Sequence, residues 1–163
     1  MVMIRKSLLS LVCLAASVPA FAAGVVEVNF VKADEFTDIG RGTVDRERHL
    51  AVLSDHLKSL GQRLPNGQVL TVDVLDVDLA GEIWPTRRMN EVRILKGSVD
   101  WPRMSLRWTL QADGRTLRTG EDKLKDMAYL ARGAGLGTQQ ALAYDLRMLD
   151  EWFAKSFAAG APH

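Results

Sequence analysis

The stretch RMSLRWTLQADGRTLRTGED, residues 103–122, decides the fold. Met104, Leu106, Trp108 and Leu110 alternate with Arg103, Ser105, Arg107 and Thr109. Strand side chains point to opposite sides in turn, so this pattern predicts one buried and one solvated face. Asp113-Gly114 then supplies a two-residue hairpin turn. Such a turn sets Leu110 opposite Leu117 on the buried face, with Arg107 near Arg118 and Asp122 on the polar one. Arg103, Arg107 and Arg118 are thus expected to project together from the solvated face.

Working outward, Val69–Leu79 reads as a strand with a change of phase. Leu70, Val72 and Val74 share one face, whereas Leu75, Val77 and Leu79 fall on the other. Either a bulge lies near Val74-Leu75 or both faces are covered there. Val25–Val31 is rich in β-branched residues and predicts another strand, and Val92–Leu95 a short one. Leu50, Leu53, Leu57, Leu60 and Leu64 recur at helical spacing after Gly40-Arg41-Gly42, with Thr43 as the expected N-cap and Gly61 near the end. Gly133, Gly135 and Gly137 lead into a second helix striped by Leu142, Leu146, Leu149, Phe153 and Phe157. The order β-α-β-(β)-β-β-α predicts an α+β two-layer sandwich. Its sheet is mixed but mostly antiparallel, of four to five strands, with two main helices on one face. The other face is left to solvent or to a partner.

Residues 1–22 read as a cleaved signal peptide. Arg5 and Lys6 precede the apolar run from Leu8 to Ala16, Pro19 breaks it, and Ala20-Phe21-Ala22 offers small residues to signal peptidase. The run is well short of the ~20 residues of a membrane span, so no transmembrane anchor is expected. The single cysteine, Cys13, sits inside the run and leaves with it, so no lipid anchor is expected either. Residues 23–163 then form one domain with a short flexible C-terminal tail, without disulfides or thiolate metal sites. Losing Arg5 and Lys6 takes the chain from 21 basic and 20 acidic residues to 19 and 20. A domain so close to neutral lacks the basic field of a nucleic-acid binder.

Several segments resemble an exported bacterial family, the domain of unknown function numbered 3016. They are Asp45-Arg46-Glu47-Arg48, the run from Leu75 to Glu82, Asp100-Trp101-Pro102-Arg103, Met127-Ala128-Tyr129-Leu130, Arg132-Gly133-Ala134-Gly135, and Met148 to Phe153. The likeness spans about Val26 to Phe157 and implies a single exported domain. It implies no activity.

Two sets of residues carry possible chemistry. Asp76, Asp78 and Glu82 gather carboxylates that suit a hard cation, and Asp76 and Asp78 share a strand face. The calcium-loop pattern fails, because Ala80 and Arg87 stand where oxygen ligands belong; pairing with Arg87, Arg88, Arg93 or other arginines at a sheet edge is the plainer account. Trp84-Pro85 and Trp101-Pro102 place tryptophans beside Arg87, Arg88 and Arg103, either plugging a sheet edge or forming a binding anchor. His49 and His56, seven apart on one helix, lack the i, i+4 spacing of a zinc pair. No serine sits in a nucleophile elbow, and Gly133–Gly137 departs from the phosphate-loop pattern.

These observations favour a soluble, non-enzymatic periplasmic binding or interaction module of the cell envelope. No cofactor is expected, and its partner is an envelope protein or a small ligand met through Arg103, Arg107, Arg118, Trp84 and Trp101. The competing reading is a small periplasmic hydrolase built on Asp76, Asp78 or Glu82, with or without a metal. The leader makes a direct prediction. Protein recovered from the periplasm should begin at Ala23 and carry no lipid; an intact mass that retains Cys13 would overturn the assignment.

Overall fold

A computed structural model of the chain describes residues 23–85, 91–131 and 142–157. The expected leader and tail, Gly133, Gly135, Gly137, Arg87 and Arg88 lie outside the described residues. The elements are β1 (Val25–Phe30), α1 (Gly42–Ser59), β2 (Gln68–Asp78), β3 (Glu82–Pro85), β4 (Glu91–Ile94), β5 (Arg103–Ala112), β6 (Arg115–Lys125) and α2 (Ala143–Phe157). Short 3-10 turns cover Ala33–Glu35 and Leu60–Arg63. The α+β expectation holds: β1-β2-β5-β6 form a four-stranded sheet and β3-β4 a separate ribbon. Among the described strands only the β1–β2 pair is parallel. Helix α1 forms the crossover that such a pair requires.

Both helices contribute to one apolar core on the inner face of the sheet. From α1 come Leu53 and Leu57, and from α2 Leu149 and Phe153, all at most 1% exposed. Each such side chain contributes roughly 1.5–3 kcal/mol by leaving water. The helix α1 starts at Gly42 after Arg41, so Thr43 lies inside the first turn and not at the N-cap. It gives way at Leu60 to the 3-10 turn that contains Gly61. There Gly61 lies so close to β1 that a Cβ would stand 2.8 Å from the Gly24 carbonyl oxygen.

The phase change in β2 is a bulge. The register slips between Val74 and Asp76, which pair with Leu106 and Ser105. Leu75 is the extra residue, so Val77 and Leu79 return to the inner face that holds Leu70, Val72 and Val74. Asp73, Asp76 and Asp78 are left outside.

A second bulge corrects the expected hairpin register. Leu110 pairs with Arg118, and Gln111 with Thr116, leaving Leu117 as the extra residue, half exposed. Beyond it every side chain of β6 changes face, because strand parity is fixed at two. Arg118 and Asp122 therefore lie on the helix side, not beside Arg103 and Arg107. The Arg118 guanidinium lies 5.5 Å from the Trp108 ring centroid and donates to the Ser156 carbonyl at 3.1 Å. That carbonyl belongs to the last turn of α2, where helical acceptors lack intrahelical partners. Asp122 accepts the indole N–H groups of Trp108 at 2.7 Å and of Trp152 at 2.9 Å. Gly120, between them in sequence, makes room for Trp108: a Cβ would sit 2.5 Å from its ring.

This arrangement predicts that Asp122→Ala loses at least about 2 kcal/mol in urea denaturation, since hydrogen bonds to a charged group contribute ~1.5–3 kcal/mol each. Asp122→Asn, which keeps an acceptor oxygen, should lose less. Glu121→Ala, on the open face, should stay within about 0.5 kcal/mol. Equal losses for Asp122→Ala and Glu121→Ala would refute the indole clamp.

Candidate functional site

Where β2 leaves the sheet, three segments meet around a cleft of about 620 Å³. After β1 the chain swings out through a 3-10 turn and rejoins β2 at Asp38. Asp38 N–H donates to the Val77 carbonyl at 2.8 Å, and Leu79 N–H to the Asp38 carbonyl at 3.1 Å. Asp76 anchors this return by accepting Thr37 N–H at 2.8 Å and the Thr37 hydroxyl at 2.9 Å. The turn after β2 pivots at Gly81 with φ of 85°, and its N–H donates to the Asp100 carbonyl at 2.8 Å. A side chain there would lie 2.7 Å from the Ile94 carbonyl oxygen, so glycine is required twice over.

Two arginines fix the walls. Arg93 of β4 makes a forked pair with Asp38 at 2.9 and 3.1 Å and also donates to the Gly81 carbonyl at 2.9 Å. Arg103 of β5 donates to Asp78 at 2.7 Å and to the Val99 carbonyl at 3.2 Å. Asp100 accepts Lys96 N–H at 2.6 Å, Ser98 N–H at 3.1 Å and the Tyr129 hydroxyl at 2.9 Å. Burial opposes the charge of Asp100, but these hydrogen bonds outweigh it and hold the carboxyl below its ordinary value. They also fix Tyr129, whose hydroxyl is pushed up to about 12, chiefly by burial. Burial raises the carboxyl of Asp78 despite Arg103. Behind the turn, Asp145 in the first turn of α2 is 2% exposed and accepts Ala80 N–H at 3.3 Å. Its carboxyl is pushed up to about 7, principally by desolvation.

The sequence-selected residues separate. Asp78, Glu82 and Arg103 line the cleft. Asp76 is engaged by Thr37, while hydrogen bonds from Lys96 and Trp84 hold the exposed Glu82 carboxyl below its ordinary value. Among the described residues no group of three His, Cys, Asp or Glu is placed to hold a metal. Arg107 lies on the open face, paired with Asp73 at 3.0 Å. Trp101 is half-buried, with the Arg103 guanidinium 4.9 Å from its ring centroid. Trp84 is 46% exposed on the ribbon, with the Lys96 ammonium 4.5 Å from its ring centroid. His56 faces Asp150 at 3.5 Å, and His49 is buried. Sequence reasoning gave no site role to Asp38, Arg46 or Asp100, and offered Arg93 only as a partner for the acidic run, whereas it pairs with Asp38. Arg46 and Asp100 were marked only by falling within segments that resemble the family, and Asp38 by nothing nearer than Gly40-Arg41-Gly42.

Among the described residues no helix is long and apolar enough to cross a membrane. The model of a family described as Protein of unknown function (DUF3016) matches residues 24–155. No curated protein and no solved structure matches the chain.

The Asp145 carboxyl gives a pH prediction. An acid with a raised folded value binds its proton more tightly when folded, so its stabilising effect is complete below about pH 4. That effect is lost as pH climbs toward and through about 7. Asp145→Asn should flatten the decline between pH 4 and 7 and melt higher than the parent at pH 8. An unchanged pH profile would refute this.

Proposed function

We propose that this chain, which belongs to the DUF3016 family of proteins of unknown function, is a non-enzymatic binding module of the bacterial periplasm that holds a small polar ligand in the cleft at the end of β2. The observation that carries the reading is a concave site whose charged walls are already paired: Arg93 with Asp38 and Arg103 with Asp78. Such pairing sets side-chain positions before a ligand arrives, which lowers the ordering cost of binding. Asp34 and Arg46 also line the cleft, and neither has a hydrogen-bond or ion-pair partner among the described residues. An acid and a base left open in one cleft suit a ligand that carries both charges. The open sheet face around Arg107, and Trp84 on the ribbon, are the second place where an envelope protein would bind.

Asp78 is the observation that favours the hydrolase instead, since it lines the cleft and burial raises its carboxyl above its ordinary value. Binding is the better fit because Arg103 opposes that protonation and Asp76 is committed to Thr37.

The test is native mass spectrometry of the mature protein after exposure to the low-molecular-mass fraction of a periplasmic extract. The parent should retain a zwitterionic molecule unchanged. Arg46→Ala should bind it at least tenfold more weakly, about 1.4 kcal/mol, with little change in melting temperature. Turnover by the parent but not by Asp78→Asn would select the hydrolase. No retained molecule would sink the cleft as a ligand site.

A further inference from the structure

Beside the cleft, and sharing Gly40 and Ile83 with it, lies a second pocket of about 290 Å³. Its polar end is His49 of α1, 8% exposed. His49 Nδ1 lies 2.8 Å from the Ile39 carbonyl oxygen. A carbonyl oxygen only accepts, so Nδ1 carries the proton, and the uncharged tautomer with that proton leaves a lone pair at Nε2. Nε2 has no partner among the described residues. Gly40 leaves room for the ring on the Nδ1 side, where a Cβ would come within 2.8 Å of that atom.

The remaining walls say what kind of molecule fits. Ile83, Val92 and Leu142 supply apolar surface. The charged groups at this pocket are already engaged, Arg48 with Asp45 at 2.9 Å and Arg93 with Asp38 at 2.9 Å. A charged ligand would compete with those pairs for the same groups, whereas a neutral one leaves both intact. The unused group is the Nε2 acceptor, and a donor brought to it satisfies an otherwise unmade hydrogen bond. The volume suffices for an aromatic ring, since a cavity of about 150 Å³ already holds benzene.

We infer that this pocket binds a small, neutral, largely apolar molecule carrying one hydroxyl, an alcohol or phenol, whose O–H donates to His49 Nε2. The inference does not rest on the ligand proposed for the polar cleft.

Phenol and toluene, which share a ring but differ in the donor, separate the alternatives. Each is titrated into the mature protein while the nitrogen-15 resonances of the His49 ring are followed by NMR. Phenol should move the Nε2 resonance saturably, and toluene should bind at least tenfold more weakly. Val92→Trp, at a position 46% exposed, fills the pocket from the ribbon and should abolish the phenol response in a folded protein. Arg46→Ala, in the cleft, should leave the response unchanged. The inference is overturned if phenol leaves His49 undisturbed, if phenol and toluene act alike, or if the response survives in folded Val92→Trp.

Discussion

One carboxylate joins the two layers of this protein. Asp122 accepts the indole N–H of Trp108 from the sheet and that of Trp152 from α2. Each indole is a large apolar body with one polar group, and burying it without an acceptor would cost most of what its ring contributes. Asp122 reaches both only because β6 slips by one residue at Leu117. The same slip carries Arg118 to the last turn of α2 and places Gly120 under the Trp108 ring. Phe157 completes the contact, edge-on to both indoles at 4.8 and 5.3 Å between ring centroids.

The two bulges divide the sheet between different tasks. The β2 bulge gives the core Val77 and Leu79 while leaving Asp73, Asp76 and Asp78 outside. Arg107 and Arg103 face two of those acids across the β2–β5 pair, and Asp76 is used by Thr37. The outer face is thus mostly a field of matched charges, which in water contributes little to stability and holds no strong net potential. The concave surface forms where strands end and loops converge, as at many ligand sites.

A polar centre holds that end together. Arg93 crosses from the ribbon to Asp38 and to the carbonyl oxygen of Gly81. Asp145 supports the adjacent Ala80 N–H from below. Three separate parts of the chain, the return after β1, the turn after β2 and the start of α2, are tied here by polar contacts that add to the core packing of Phe36, Ile39, Leu79 and Leu146. Partly buried pairs of this kind cost desolvation, so their value lies in fixing geometry more than in stability.

The sequence by itself determined the elements and the class of fold. Alternation in residues 103–110, the leucines of α1 and the aromatic stripe of α2 each follow a local period, and a period needs only neighbours to be read. It also marked the β2 phase change, because Val74 and Val77 cannot share a face in an unbroken strand. The β6 bulge left no such mark. Leu117 looks like the partner of Leu110, and only the demand of two indoles and a helix end for Asp122 and Arg118 outweighs its burial. The ribbon strand β3 was hidden for a related reason, since four residues ending in Pro85 show no periodicity. Tertiary structure alone decided the cleft and the His49 pocket. Arg93 meets Asp38 from 55 residues away and Asp145 meets Ala80 from 65, and pairing over such distances is set by packing of the whole chain, not by any local pattern.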